Sequence, residues 1–332
     1  MRYFSKMCTS KVRLDGKTVV ITGACSGIGK ETARNLYAKG ARVIMADVNM
    51  ELANEAIEDI KNNPPSRIKR NEYKNNVGEL DIYFLDLSSF KSVRNCAKNL
   101  LTNEAAIHIL INNAGVIMPS YEKTEDGNEK TLQVNYLGHF LLTLLLLPKM
   151  QLSSPICRII NVSSFIHIFA DIDFEDINRE RSYSLLKYYA QSKLANILFT
   201  KELYKKFIQF SEANIHGINV YSLNPGGTRT KLFWNVGDAI FSNVPSCLLF
   251  IFTHLIFNNA ETGAQTTIYC SVDEKTATET GFYYSNCGVT TTYRKANNHQ
   301  YAEKLWNISC RLLHLEPEDF TTFLETVSRQ ML

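Results

Sequence analysis

Lys17-Thr-Val-Val-Ile-Thr-Gly-Ala-Cys-Ser-Gly-Ile-Gly29 decides the fold. Lys17 to Thr22 reads as a short buried strand, and a helix follows from Gly29 to Lys39, ended by Gly40. Between them lies a glycine-rich turn, Gly23-x-x-x-Gly27-x-Gly29, with Ser26 and Ile28 inside it. Glycine there permits positive φ and lets the backbone approach a pyrophosphate at the positive end of the helix. A lone turn of this kind is weak evidence. At the first strand-to-helix junction it becomes a dinucleotide cradle to be tested against a merely structural turn.

Outward from this unit, strands and helices alternate. Strands are expected at Ala41 to Ala46, Ile82 to Leu85, Ile107 to Ile111, Arg158 to Val162, Gly217 to Ser222 and Gly281 to Tyr284. Helices are expected at Met50 to Asn62, Ser88 to Leu101, Asn128 to Leu147, Ser184 to Phe207, Glu261 to Cys270 and Gln300 to Leu313. The strands are nearly continuous apolar runs, as in a parallel sheet covered on both faces. The reading is α/β: one doubly wound Rossmann-type domain, a central parallel sheet with helices on both faces. Its expected limits are 14–314, with an N-terminal extension 1–13 and a C-terminal tail 315–332.

Composition agrees. The 332 residues are 45% hydrophobic and 21% charged, with a net charge of +3. That charge is dispersed, which argues against a nucleic-acid partner. Eight Cys at 8, 25, 96, 157, 247, 270, 287 and 310 show no metal or disulfide spacing, so free thiols and no metal are expected. Met1 to Arg13 lacks an apolar run, so neither a secretory signal nor an anchor is expected there. No segment reaches the roughly 20 apolar residues of a membrane span. The nearest is Cys247 to Phe257, broken by Thr253 and His254. A cytoplasmic, non-secreted protein is expected.

Tyr189 and Lys193 stand four residues apart on an expected helix, so both project from one face. Tyr has an ordinary pKa of about 10, too high for proton transfer near neutrality. A neighbouring ammonium should lower it. Ser164 closes a strand and can donate to a substrate oxygen. The pair alone is also compatible with a core aromatic and a solvated lysine. Tyr188 is the decoy, because its partner one turn on is the uncharged Ser192. Asp47 ends the second strand, 18 residues past Gly29, where a carboxylate can accept from a ribose diol and repel a 2′-phosphate. It could equally be a helix cap. Val48 supplies no cation beside it, so NAD(H) is favoured over NADP(H), with Lys30 and Arg42 the nearest cations able to reverse this.

Taken together, the glycine loop, Asn112-Asn113-Ala114-Gly115, Asn135, Ser164, Tyr189-x-x-x-Lys193 and Pro225-Gly226 resemble the short-chain dehydrogenase/reductases, over about Gly16 to Leu313. The phrases Lys30-Glu-Thr-Ala-Arg34, Thr124-Glu-Asp-Gly127, Gly138-His-Phe-Leu-Leu-Thr143 and Ser192-Lys-Leu-Ala-Asn-Ile-Leu-Phe-Thr200 look most like the retinol dehydrogenase branch. The resemblance implies an NAD(P)-dependent enzyme interconverting an alcohol and a carbonyl, with Tyr189 as acid/base, Lys193 as its partner and ribose ligand, and Ser164 on the oxygen. It further implies that Asn135 holds a water behind Lys193 and that Asp86-Leu87 flank the adenine. Asn113-Ala114-Gly115 would border the cofactor, and Pro225, Gly226, Thr228 and Thr230 its nicotinamide end. The resemblance places the substrate loop after Pro225-Gly226, where Phe233, Trp234, Ile240, Phe241 and Cys247 to Phe252 would suit a lipophilic substrate such as a retinoid, steroid or long-chain aldehyde, a buried helix or subunit interface being the alternative. A hydroxysteroid or xenobiotic carbonyl reductase, and a cofactor-binding interaction protein without turnover, are the alternatives. Peripheral membrane contact and a homodimer stay open, the apolar helix Leu137 to Leu147 serving as core and dimer face.

Overall fold

The structure is a computed structural model that describes residues 6–69, 73, 76–153, 156–181, 183–209, 217–227 and 259–315. In chain order its elements are β1 (Thr18–Thr22), α1 (Gly27–Ala38), β2 (Arg42–Asp47), α2 (Met50–Asn62), β3 (Glu79–Phe84), α3 (Phe90–Asn103), β4 (Ile109–Asn112), α4 (Lys130–Ser153) and β5 (Cys157–Val162). There follow α5 (Leu185–Gln209), β6 (Ile218–Asn224), α6 (Ala260–Gly263), α7 (Gln265–Val272), β7 (Tyr283–Ser285), β8 (Gly288–Val289) and α8 (His299–Leu312).

The strands form one sheet in the order β3-β2-β1-β4-β5-β6-β7-β8, parallel except for the β7–β8 hairpin. The order reverses between β1 and β4, and the crevice over the C-terminal strand ends at that reversal is where a doubly wound sheet binds ligands. Strand alternation sorts the core into two layers. Val20, Ile44, Leu110 and Ile159 face α3, α4, α5 and α8, while Val19, Ile21, Val43 and Ile111 face α1, α2 and α7. Side-chain caps start the helices, with Asn49 accepting from the Leu52 N–H at 2.9 Å and Asn298 from the Gln300 N–H at 3.0 Å.

Three expectations need correction. The third strand starts earlier, at Glu79, because an edge strand tolerates the polar residues Glu79 and Asp81 that an apolar-run reading passes over. The hairpin strand β8 was not expected, since two residues carry no periodic signal. One helix, α4, is long and apolar enough by composition to cross a membrane, yet 89% of its apolar window is buried inside the protein. Its core packing needs no second copy: Phe140 meets Phe199 at 5.0 Å and Trp306 at 4.9 Å between ring centroids.

At the base of β2, Arg42 donates to Glu104 at 2.8 and 2.9 Å, to Glu79 at 3.0 Å and to Asp81 at 2.8 Å. Glu104 is only 4% exposed, so removing Arg42 leaves a buried carboxylate without its cation, with the Tyr83 hydroxyl still donating at 3.0 Å. Arg42→Ala is therefore expected to cost about 2 kcal/mol of unfolding free energy at neutral pH, less than a fully buried pair because Arg42 keeps contact with solvent. The hydrogen bond from Arg42 chiefly holds the Glu104 pKa below its ordinary value. Its stabilisation is thus complete above the unfolded carboxyl's pKa of about 4.3 and lost as pH falls through the depressed folded value. Urea titrations of both proteins at neutral and acid pH should show the gap narrowing in acid.

Candidate active site

The turn after β1 is built on two close approaches. Gly23 has φ +64°, and a Cβ there would lie 2.8 Å from the Ala114 Cα. A Cβ on Gly29 would lie 2.2 Å from the Gly23 carbonyl oxygen. Only glycine lets α1 sit this close to β1. Ser26 is the N-cap residue of α1, but its side chain makes no capping bond. The first-turn N–H groups of α1 therefore lack the usual side-chain acceptor, which suits an anion. Gly23, Ser26, Gly27, Ile28 and Gly29 all line a cavity of about 960 Å³ over the strand ends.

At one end of this cavity stand Asp47, Val48, Asp86 and Leu87. Asp47 accepts from the Cys25 N–H at 3.2 Å and the Asn49 N–H at 3.3 Å, which orients its carboxylate. Its negative charge adds to burial in raising the pKa of the Cys25 thiol. Asp86 accepts from both the N–H and the hydroxyl of Ser88. Neither cation singled out from sequence reaches this end: Arg42 is engaged at the opposite end of β2, and Lys30 pairs with Asp59 at 2.9 Å. Lys130, which lines the cavity, pairs with Glu122 at 2.9 Å.

At the other end are Tyr189, Lys193, Asn113, Ala114, Gly115 and Pro225. Helix α5 carries the Tyr and Lys on one face, with the Lys193 Nζ 5.5 Å from the Tyr189 ring centroid. Ser164 follows β5, caps a short 3-10 turn at Phe165–Phe169, and hydrogen-bonds the Tyr189 side chain. Asn135 lies behind the cavity in a π turn of α4, Gln133–Leu137. Such turns often mark functional sites. Its amide is strapped to Val116, accepting from the N–H at 2.7 Å and donating to the carbonyl at 2.9 Å, and it also donates to the Ser192 hydroxyl at 3.0 Å. A Cβ on Gly115 would sit 3.4 Å from the Lys193 Nζ and 3.5 Å from the Asn135 Oδ1, so these two groups converge on one small space.

The expected electrostatics are corrected here. Burial pushes the Tyr189 phenol up to about 12, against a smaller downward pull from the Ser164 hydrogen bond. Burial also lowers Lys193 to about 8. The reason is burial, which disfavours the charged form of each group; the bond that the Lys193 ammonium donates to the Val162 carbonyl at 3.0 Å does not offset it. Tyr188, the decoy, is core: its hydroxyl donates to the Arg179 carbonyl.

Of the site residues expected from sequence, Gly226 flanks the cavity beside Pro225 and adopts φ +85°. Thr228, Thr230 and the apolar segment after them lie outside the described residues. Sequence reasoning missed Val116 to Pro119 and Lys130, which line the cavity. The signal for the first group was available, since it directly follows Asn113-Ala114-Gly115. No motif in the sequence gave such a cue for Lys130. The described thiols, Cys8, Cys25, Cys96, Cys157, Cys270, Cys287 and Cys310, are all free.

The arrangement can seat an anionic dinucleotide along the glycine turn and a carbonyl or hydroxyl carbon beside Ser164 and Tyr189. Comparison with known proteins agrees with this. The model of the short chain dehydrogenase family matches residues 17–240. The chain is 41% identical over 312 residues to human retinol dehydrogenase 12 (Homo sapiens), covering 94% of this chain and 91% of that protein. It is 40% identical over 312 residues to human retinol dehydrogenase 13, covering 93% and 88%. A crystal structure of an uncharacterized protein from Mycobacterium paratuberculosis superposes with a TM-score of 0.68 at 30% identity, over 91% of this chain and 95% of that one.

Proposed function

We propose, from the premise that this chain belongs to the short-chain dehydrogenase/reductase family, that it interconverts a retinoid-like lipophilic alcohol and its carbonyl with NAD(H). The chain is an NAD(P)-dependent oxidoreductase acting on CH–OH donors, of the retinol dehydrogenase branch. The observation that carries the proposed chemistry is the meeting of Tyr189 and Lys193 at one end of a cavity that the glycine cradle also lines, with Ser164 hydrogen-bonded to Tyr189.

The residues fit the nicotinamide dinucleotide. Uncapped N–H groups of α1 and the close-packed Gly23 and Gly29 would hold its pyrophosphate, Asp47 its adenosine ribose, Asp86 and Leu87 its adenine. Asn113 to Gly115 and Pro225 would border its nicotinamide half. When bound, it exchanges a hydride with the substrate carbon. Ser164 holds the substrate oxygen by donating its hydroxyl hydrogen. In the reducing direction Tyr189 gives its phenolic proton to that oxygen, and in the oxidising direction the phenolate takes the proton from the alcohol. Lys193, charged below about pH 8, would steady the phenolate and offer its ammonium to the cofactor's ribose. Asn135 would hold a water behind it.

The NAD(H) preference rests on Asp47, oriented by two backbone N–H groups, with Val48 55% exposed beside it. A 2′-phosphate there would meet a carboxylate and, among the described residues lining the cavity, no free cation. NADH is expected to bind at least tenfold more tightly than NADPH, about 1.4 kcal/mol. The double change Asp47→Ala, Val48→Arg should reverse the order. Fluorescence titrations of both proteins with both dinucleotides measure this, and tighter NADPH binding by the parent protein would refute the assignment.

The retinoid-like substrate is supported by the relatives' names and by the exposed Phe165, Ile168, Phe169 and Leu186 beside Ser164 and Tyr189. The same apolar rim supports peripheral contact with a membrane. A second reading, a hydroxysteroid or other lipophilic carbonyl as substrate, draws on the same rim. Relative kcat/KM across a panel of retinoid, steroid and long-chain aldehydes separates the two.

A further inference from the structure

We infer that His139, which lies outside the cavity, is a positioning residue that joins the dinucleotide cradle to Asn135 through a single neutral tautomer. The inference rests on the reading of the Tyr189 site given above.

His139 is buried in α4 one turn after Asn135. Its Nε2 lies 2.8 Å from the Thr22 hydroxyl, and its Nδ1 lies 3.1 Å from the Asn135 carbonyl oxygen. A hydroxyl has one hydrogen and two lone pairs. The Thr22 oxygen already accepts from the Asn113 N–H at 2.9 Å and the Ala114 N–H at 3.0 Å. Its own hydrogen must therefore go outward, and His139 Nε2 at 2.8 Å is a far closer acceptor than the Ile111 carbonyl at 3.4 Å. Nε2 is then bare, and the ring proton sits on Nδ1. The opposite side demands the same answer independently, because a carbonyl oxygen can only accept. Burial first, and the charge of Lys193 to a smaller degree, hold the ring pKa down to about 3, so the ring stays neutral.

The two ends of this bridge are the parts that must be registered for hydride transfer. Thr22 ends β1 and fixes Asn113 and Ala114, which line the cavity; Asn113 also donates to the Thr22 and Gly23 carbonyls at 2.9 and 3.2 Å. Asn135 lies in the π turn, where regular helical bonding is interrupted, and its amide shares the space beside Gly115 with Lys193. His139 thus clamps the carbonyl of an otherwise irregular turn to the strand that carries the cradle. Misplacement of catalytic groups by about 1 Å can cost up to about 100-fold in rate.

His139→Phe removes both bonds and keeps a ring, whereas His139→Asn retains a donor able to reach the Asn135 carbonyl one turn back. The expected result is a fall in kcat of about tenfold or more for His139→Phe, with NADH dissociation constants within about threefold of the parent. His139→Asn should recover at least about threefold of that loss. Equal kcat for parent and His139→Phe, or equal losses in the two variants, would overturn the inference. If His139→Phe fails to fold, nitrogen NMR of the parent labelled at histidine decides, the His139 signal being the one missing in His139→Asn. A proton on Nδ1 supports the inference, and one on Nε2 overturns it. Tyr189→Phe is the control: full activity there sinks the site reading itself, while its loss beside an active His139→Phe sinks only the role of His139.

Discussion

Tyr189→Phe is expected to lower kcat by about 100- to 10,000-fold, the span covered by general acid–base catalysis. That corresponds to about 3 to 5 kcal/mol of transition-state stabilisation. The change removes one oxygen from a side chain whose ring remains in place, so NADH binding should stay within about threefold of the parent. Turnover and dinucleotide titration on the same preparation measure the split. A variant that keeps its rate would show that another group moves the proton. The pH profile gives a second reading of the same residue. With the phenol up at about 12, its protonated form dominates at neutrality, so carbonyl reduction needs no prior ionisation. Alcohol oxidation needs the phenolate, whose fraction grows with pH. Oxidation should therefore climb as pH rises, and Tyr189→Phe should abolish the climb.

Gly29→Ala should be nearly as damaging, by a different route. The added methyl would lie 2.2 Å from the Gly23 carbonyl, 2.6 Å from the Asn113 Nδ2 and 3.0 Å from the Ala24 Cα. Two of these are backbone atoms of the tight turn and cannot swing aside. Either α1 retreats from β1 or the Asn113 amide gives up its bonds to Thr22 and Gly23. Both outcomes distort the cradle. NADH affinity should fall about 10- to 100-fold, with about 1 to 3 kcal/mol lost from stability through overpacking. Calorimetric titration and thermal melting test this. Tight binding by the variant would mean that the turn is not where the pyrophosphate lies.

Much of the fold is legible in the sequence. The β1–α1 unit, β2 and β5 agree with the sequence reading to within one or two residues, because each strand is a closed apolar run bounded by Gly or by a helix start. The Tyr189 and Lys193 pairing was legible because helical spacing converts directly into a shared face. What escaped did so for stated reasons. The π turn at Gln133–Leu137 lies in a helix that is apolar on nearly every side, so a shift of phase leaves no trace in the hydrophobic pattern. His139 and Thr22 are polar residues whose partners come from distant segments, and their bonds exist only in the folded sheet. The charge states of Tyr189 and Lys193 depend on how much water reaches them, which spacing does not encode.

The buried helix α4 has a consequence for how the chain is made. It reads like a bilayer segment, and two of its packing partners come later in translation: Phe199 on α5 and Trp306 on α8. A nascent chain therefore carries an oily rod with much of its cover not yet synthesised, prone to self-association unless a chaperone shields it. Losing α8 would leave Phe140 open on one side and make premature termination a problem of solubility before it is one of activity.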